Sequence, residues 1–248
     1  MKGLIEKRYV EVLCYPRYDQ KEARKRLEEL KKLGVKALEF AGEKKAFDVY
    51  VLGKGYVGIV VAAYTDVGKA ALKIRRVDAD RAGMHHEAEM LKKANDVGVG
   101  PKLLRVAEDF LLMEFIEGTP LPKWVEALKG RGTRARVHWV LQDILEQCWR
   151  LDEASLDHGE LSWAPKHVIV DVDGKPYIVD FETASSDRRV SNVTSICQYI
   201  FLGSKLAKTM KGKLGEVDTG SLIHCLRDYK QERTRENFEK VLIVCGLK

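Results

Sequence analysis

No Cys-x-x-C pair occurs in this sequence, and its five cysteines, Cys14, Cys148, Cys197, Cys225 and Cys245, are spread along the chain. That spacing argues against a zinc ribbon and a disulfide framework, and leaves each thiol as a small apolar side chain. Long apolar runs are missing too: no stretch approaches the roughly 18 uncharged apolar residues that a membrane-spanning helix needs. Residues 1–8 carry charges with no apolar segment behind them, so no secretory signal is expected. These absences predict a cytoplasmic protein with no membrane partner. Asn and Gln are scarce beside Lys, Arg and Glu, a leaning shared with thermophile proteins.

What is present suffices for one sizeable core or two modest ones: 248 residues, 45% hydrophobic and 32% charged. The formal charge of +6 is mild, yet it is concentrated. Lys129, Arg131, Arg134 and Arg136 form one acid-free run, and Lys205, Lys208, Lys211 and Lys213 a second. Such runs suit a phosphate-rich partner; they equally describe a solvated basic surface.

Periodicity divides the chain. Residues 9–15 read as a strand ending at Pro16, Asp19 caps a helix through Leu33 with Ala23, Leu27 and Leu30 on one face, and 35–40 is a strand. Strands follow at 47–52, 59–64 and 70–74, the last two joined by the turn 65–68. A helix over 81–95 and strands over 102–107 and 110–116 lead to Glu117-Gly118-Thr119-Pro120, which reads as a hinge. Beyond it the pattern is mainly helical, over 121–128, 134–153, 191–208 and 220–244, with a strand pair at 168–171 and 177–181. The expected organisation is α+β, with an appendage over 1–45, a β-rich lobe over 46–117 and a helical lobe over 118–248.

Four local patterns carry chemistry. Gly53, Gly55, Gly58 and Val60 fit G-x-G-x-x-G-x-V, and the β-branched residues after Gly58 make this a flap between two strands rather than a dinucleotide-binding turn into a helix. Glycines there let backbone N–H groups approach phosphates; the bland alternative is an ordinary Gly-rich hairpin. Lys73 ends the apolar run Ala70-Ala-Leu-Lys73, and Glu87 lies on a helix face with Leu91, so a Lys73–Glu87 ion pair would ready the lysine for the α- and β-phosphates. Glu89, on another face, is the second choice of partner. Asp180 follows the apolar Tyr177-Ile-Val and suits Mg²⁺, while Glu160 in His158-Gly-Glu160-Leu-Ser162 is placed to take a proton from an attacking hydroxyl.

In this order the motifs resemble the protein-kinase superfamily over residues 47–186, and more closely its small atypical members: RIO kinases, aminoglycoside phosphotransferases and short archaeal kinases. The resemblance implies a two-lobe kinase-like fold with a reduced helical lobe. It also implies ATP and Mg²⁺ as cofactors, adenine bound near Glu114 and Ile116, and Asp180-Phe181-Glu182 in place of the metal-binding D-F-G triplet. Three departures stand out. Glu160 replaces the usual catalytic aspartate, no A-P-E triplet follows Asp180, and the expected asparagine is missing. His167 is its nearest positional match, two residues too far along, and imidazole is a poorer Mg²⁺ ligand than oxygen. Lys166 is an alternative contact for the γ-phosphate. The pattern H-G-E-L-S…K-H-V-I-V with D-F-E resembles an archaeal kinase group associated with phosphorylating the ribose 2′-hydroxyl of an internal tRNA nucleotide. That likeness implies tRNA as partner; a protein substrate, or ATP held by a pseudokinase as a structural ligand, are the alternatives. Oligomeric state is not legible.

Overall fold

The computed structural model describes residues 7–248. Residues 1–6, the larger part of the charged start and the beginning of the 1–45 appendage, lie outside the described residues. The chain folds into two compact units. Unit 1 runs through Lys92 and resumes at Pro101–Phe115; unit 2 comprises Lys93–Gly100 and Ile116–Lys248.

In unit 1 an antiparallel sheet is ordered β1 (Val35–Glu39), β5 (Gly58–Thr65), β6 (Gly68–Arg75), β8 (Phe110–Glu114), β7 (Leu103–Val106). The short β4 (Gly53–Lys54) also pairs with β5, and β2 (Lys44–Ala46) with β3 (Val49–Val51) forms a separate hairpin. The β-branched residues of β5 suit a central strand, and Ile59, Val61 and Ala63 join Leu72, Ile74, Phe110 and Leu112 in the core. At the β5–β6 turn the Val67 N–H donates to Thr65 Oγ1 (3.1 Å), and Gly68 takes the positive φ (+120°) that the turn requires.

Helix α2 (Gln20–Lys32) begins as its sequence specifies: the Glu22 N–H donates to Asp19 Oδ1 at 2.8 Å, and Gly34 at φ +72° follows its end. Ala23, Leu30 and Leu33 are buried, and so is Arg26, which shares their face although its charge alone would suggest solvent. Its guanidinium donates to the carbonyls of Leu13 and Arg75 and pairs with buried Asp109 (3.1 Å), which also receives Arg75 Nε (2.7 Å). This network fastens residues 13–26 to the sheet.

Four expectations are corrected in this unit and at its exit. Residues 9–15 begin as helix α1 (Lys7–Val12), not as a strand. The helix puts Val12 and Leu13 into the core and stacks Tyr9 on Phe40 (ring centroids 4.9 Å), so packing overrides β-branched propensity. The strand expected over 47–52 is broken, because Phe47 adopts φ +49° and Phe47-Asp48 becomes the turn of the β2–β3 hairpin. The strand expected over 110–116 ends at Glu114. The hinge expected at Glu117–Pro120 is instead largely strand β9 (Gly118–Pro120), paired with β10 (Val168–Asp171). A Cβ on Gly118 would lie 2.4 Å from the Val170 carbonyl oxygen, so this glycine serves close strand approach. The chain passes from one unit to the other earlier, at Phe115–Ile116.

Helix α3 (Arg81–Asp96) follows β6 in sequence. Unit 2 contains α4 (Leu121–Ala127), the long α5 (Thr133–Glu153), the sheet β9–β10–β11 (β11, Pro176–Ile178) and a C-terminal group of helices. The two long helices expected there are each divided. Helix α6 (Asn192–Cys197) runs into a π-helical turn and stops at Gly203, after which Ser204 caps α7 (Lys205–Leu214) by accepting from the Ala207 N–H. Likewise α8 (Thr219–Gln231) and α9 (Arg235–Val244) are separated where Thr234 accepts from the Asn237 N–H. The architecture is α+β, an antiparallel sheet followed by a helical region, as expected. Among the described residues no helix is long and apolar enough to cross a membrane.

Candidate active site

The site residues fall into two groups, one in each unit. In unit 1 the glycine segment is a flap between strands: Gly53 and Lys54 of β4 pair with Val60 and Ile59 of β5, and the Gly55 N–H donates to the Gly58 carbonyl (2.8 Å). Val60 lies opposite both Gly53 and Lys73. Gly58 has a specific steric reason to lack a side chain. An added Cβ would stand 2.9 Å from the Ile74 carbonyl oxygen and 3.0 Å from Lys73 Cγ, so glycine leaves the lysine stem its path.

Lys73 Nζ lies 2.6 Å from Glu87 Oε2, with the two side chains only 5% and 3% exposed. Leu91, one turn further along α3, is buried, whereas Glu89 is exposed. The heptad-like placement of Met84, Glu87, Ala88 and Leu91 on one face turns the carboxylate inward. A buried pair of this kind is expensive to break: removing one partner strands the other charge, at about 3–5 kcal/mol. Glu114 ends β8, and its carboxylate receives the Lys102 N–H at 3.0 Å. Ile116 is half-buried at the start of unit 2.

In unit 2 the segments around residues 158 and 180 are cross-tied. Asp157 and Ser185 exchange backbone hydrogen bonds (2.9 and 2.8 Å), and Thr183 Oγ1 donates to the His158 carbonyl (3.1 Å). Arg188 spans both segments, donating from Nε to Asp157 Oδ2 and from Nη2 to the Thr183 carbonyl, each at 2.8 Å. Gly159 is required beneath it: its φ is +89°, and a Cβ would meet Arg188 Nη2 at 2.6 Å. His158 is fully buried, its Nε2 3.1 Å from the Val179 carbonyl, and burial together with the neighbouring His167 lowers its pKa to about 4.

Glu160, His167 and Asp180 converge. His167 Nε2 lies 3.1 Å from Glu160 Oε2 and 3.8 Å from Asp180 Oδ2, and Lys166 Nζ lies 3.3 Å from the same Asp180 oxygen. A 3₁₀ turn, Leu161–Trp163, lies between Glu160 and His167 in the chain. Asp180 adopts φ +71°, a backbone conformation that side-chain-bearing residues rarely take and that recurs at functional positions. His167 is 4% exposed while Glu160 is 40% exposed, so the imidazole is sheltered and the Glu160 carboxylate is open to solvent. Burial lowers the His167 pKa, against the opposing pull of Asp180 and Glu160.

One candidate ligand atom from each of these three residues lies within 4.8 Å of the others. Two carboxylate oxygens and one imidazole nitrogen at that spacing fit a divalent cation. The nitrogen makes the set less suited to Mg²⁺ than an all-oxygen one and better suited to ions such as Mn²⁺.

The structure thus brings together Lys73 with Glu87, and Glu160 with His167 and Asp180. Sequence reasoning passed over Asp157 and Arg188, whose pairing joins residues 31 positions apart and has no local signature beyond the charges themselves.

The RIO domain model matches residues 61–191, more than half of the chain, and the chain belongs to the RIO family within the protein-kinase-like superfamily. It is therefore an atypical kinase, a phosphotransferase of the kinase type. The matched segment contains Lys73, Glu87, Glu160, His167 and Asp180, while the glycine flap lies just before it. The chain is also similar to the uncharacterized protein MJ1211 of Methanocaldococcus jannaschii, 30% identical over 102 residues that cover 41% of this chain and 83% of that protein.

Proposed function

We propose that this kinase transfers the γ-phosphate of ATP to a hydroxyl of RNA, the ribose 2′-hydroxyl of an internal tRNA nucleotide. The observation that carries the phosphotransfer part is the convergence of Glu160, His167 and Asp180 in a chain that also buries a Lys73–Glu87 pair. In this reading the backbone N–H groups of the 53–58 flap and the Lys73 ammonium receive the phosphates, Glu87 fixes the lysine, and the chain at Glu114 and Ile116 receives the adenine. Asp180 and His167 would hold a divalent cation, which supplies charge neutralisation on the transferring phosphoryl group. Glu160, the solvent-open member, orients the acceptor hydroxyl and takes its proton as the acceptor O–P bond forms and the bond to the ADP oxygen breaks. Lys166 lends a second positive charge beside Asp180. The transition state is loose, so positioning and charge neutralisation supply most of the acceleration.

Two features favour an RNA acceptor over a protein one. Only a short segment separates Asp180 from α6, and it is pinned by the Asp157–Ser185 and Arg188 bonds, which leaves little chain for a peptide-docking platform. The two basic runs are also linked at one point: Lys213 Nζ donates to the Leu128 carbonyl (2.7 Å), the residue before Lys129. Phosphate contacts of that kind supply sequence-independent affinity for nucleic acid.

The test follows γ-labelled phosphate from ATP into a mixture of bulk tRNA and total protein, with Asp180→Ala as control. Label removed by nuclease and absent with the control supports the RNA reading. Label removed by protease moves the assignment to a protein kinase, and ATP binding without any turnover moves it to a pseudokinase.

A further inference from the structure

The segment preceding the kinase motifs makes one contact with the glycine flap that its sequence does not announce. Two cations approach the half-buried ring of Tyr15, with Lys54 Nζ 4.8 Å and Arg76 Cζ 5.4 Å from its centroid. Both cations belong to the flap or hold it. Lys54 is the residue between Gly53 and Gly55, and its ammonium also donates to the Lys45 carbonyl (3.2 Å). The Arg76 N–H donates to the Val57 carbonyl (2.8 Å), and its guanidinium reaches the Gly55 carbonyl (3.3 Å). Tyr15 is itself fixed: its carbonyl accepts from the Val77 N–H (2.9 Å), and Phe47 packs edge-on against its ring (5.1 Å).

A glycine-rich flap has high intrinsic freedom, and phosphate binding must overcome the entropy of ordering it. Here a single aromatic ring touches the side chain at the flap's start and the arginine that bonds two of its carbonyls. We infer that Tyr15 is a positioning residue for nucleotide, acting through Lys54 and Arg76 to keep the flap in its phosphate-receiving conformation. The inference rests on the reading that the flap receives phosphates. It assigns residues 13–16 a part in the reaction that is separate from their packing in the core.

The experiment measures affinity for a fluorescent ATP analogue, together with steady-state KM and kcat, in the full chain. Tyr15→Leu removes the ring's negative face and is expected to weaken nucleotide binding and raise KM for ATP about tenfold, with kcat within about twofold. Tyr15→Phe retains the face and is expected to bind nucleotide with near wild-type affinity, a result not expected if the hydroxyl rather than the ring were the operative group. Lys54→Met attacks the same contact from the other side, and the Tyr15→Leu/Lys54→Met double variant is expected to bind no more weakly than the worse single one. A folded Tyr15→Leu protein with unchanged affinity, or single effects that simply add, would overturn the inference. Failure of the wild type to bind nucleotide would instead overturn the phosphate-binding reading on which it stands.

Discussion

His167 Nε2 stands 3.1 Å from Glu160 Oε2 and 3.8 Å from Asp180 Oδ2, so one sheltered nitrogen faces two carboxylates. Nε2 sits beside the Glu160 carboxylate without making an aligned hydrogen bond to it, and when it carries no proton its lone pair would be available to a divalent cation. His167→Asn replaces the nitrogen by an amide oxygen, a harder donor. The variant is expected to keep phosphoryl transfer and to shift its cation requirement from Mn²⁺ toward Mg²⁺, read as the concentration of each ion giving half-maximal rate after chelation. An unchanged ratio of the two concentrations would remove His167 from the cation site.

The Lys73–Glu87 pair predicts a separation of stability from activity. Glu87→Leu alone removes the carboxylate 2.6 Å from the buried Lys73 ammonium and is expected to lose about 3–5 kcal/mol of unfolding free energy. Lys73→Met/Glu87→Leu removes both charges from a site that is 5% and 3% exposed, and recovers most of that loss. Phosphoryl transfer stays abolished in the double variant. Urea denaturation and a transfer assay on the same preparations check both halves; recovery of transfer would show that Lys73 does not receive the phosphates.

These two clusters also mark what a reader of the sequence can and cannot see. Lys73, Glu87, Gly58 and Asp180 are legible because each obeys a local rule: a strand end, a helix face, a turn. Arg26 is not. It lies on the apolar side of an amphipathic helix, and it is buried because the Leu13 and Arg75 carbonyls and Asp109, all remote in sequence, complete its hydrogen bonds. The misread hinge has the same origin, since Gly118 and Pro120 look like breakers until β10 is known to lie alongside them. In the C-terminal helices the missed breaks were capped by Ser204 and Thr234, short polar signals hidden inside longer amphipathic patterns.

His158 gives a pH dependence with a definite sign. Its folded pKa is about 4 against an ordinary value of 6.5, so the unfolded chain binds a proton in that window that the folded chain does not. The contribution is fully present above pH 6.5 and is lost as the pH falls toward 4, at about 1.4 kcal/mol per pH unit and about 3 kcal/mol in all. His158→Gln, whose amide nitrogen reaches the position of Nε2, keeps a donor for the Val179 carbonyl but does not titrate there. Unfolding free energies between pH 4.5 and 7 are expected to fall by about one proton's slope less in the variant than in the wild type. Parallel curves would exclude His158 as the titrating group.

Arg188 supplies the sharpest test of how the unit 2 cluster is held. Its guanidinium pairs with Asp157, just before the loop that carries Glu160, and bonds the Thr183 carbonyl just after Asp180. It touches neither Glu160 nor Asp180 in these bonds, and the Arg188 side chain is 48% exposed against 6% for Asp157. Loss of such an exposed donor should cost little stability, because the Ser191 N–H and Oγ still satisfy Asp157 Oδ1. Its geometric effect should be larger, since displacing a catalytic group by even a fraction of an ångström is costly. Arg188→Ala is therefore expected to lower kcat by about 10–100-fold with KM for ATP and the melting temperature nearly unchanged, and Arg188→Lys to recover only part, because an ammonium cannot span both acceptors in a planar fork. A fall in melting temperature that tracks the loss of kcat would reduce Arg188 to a structural tie.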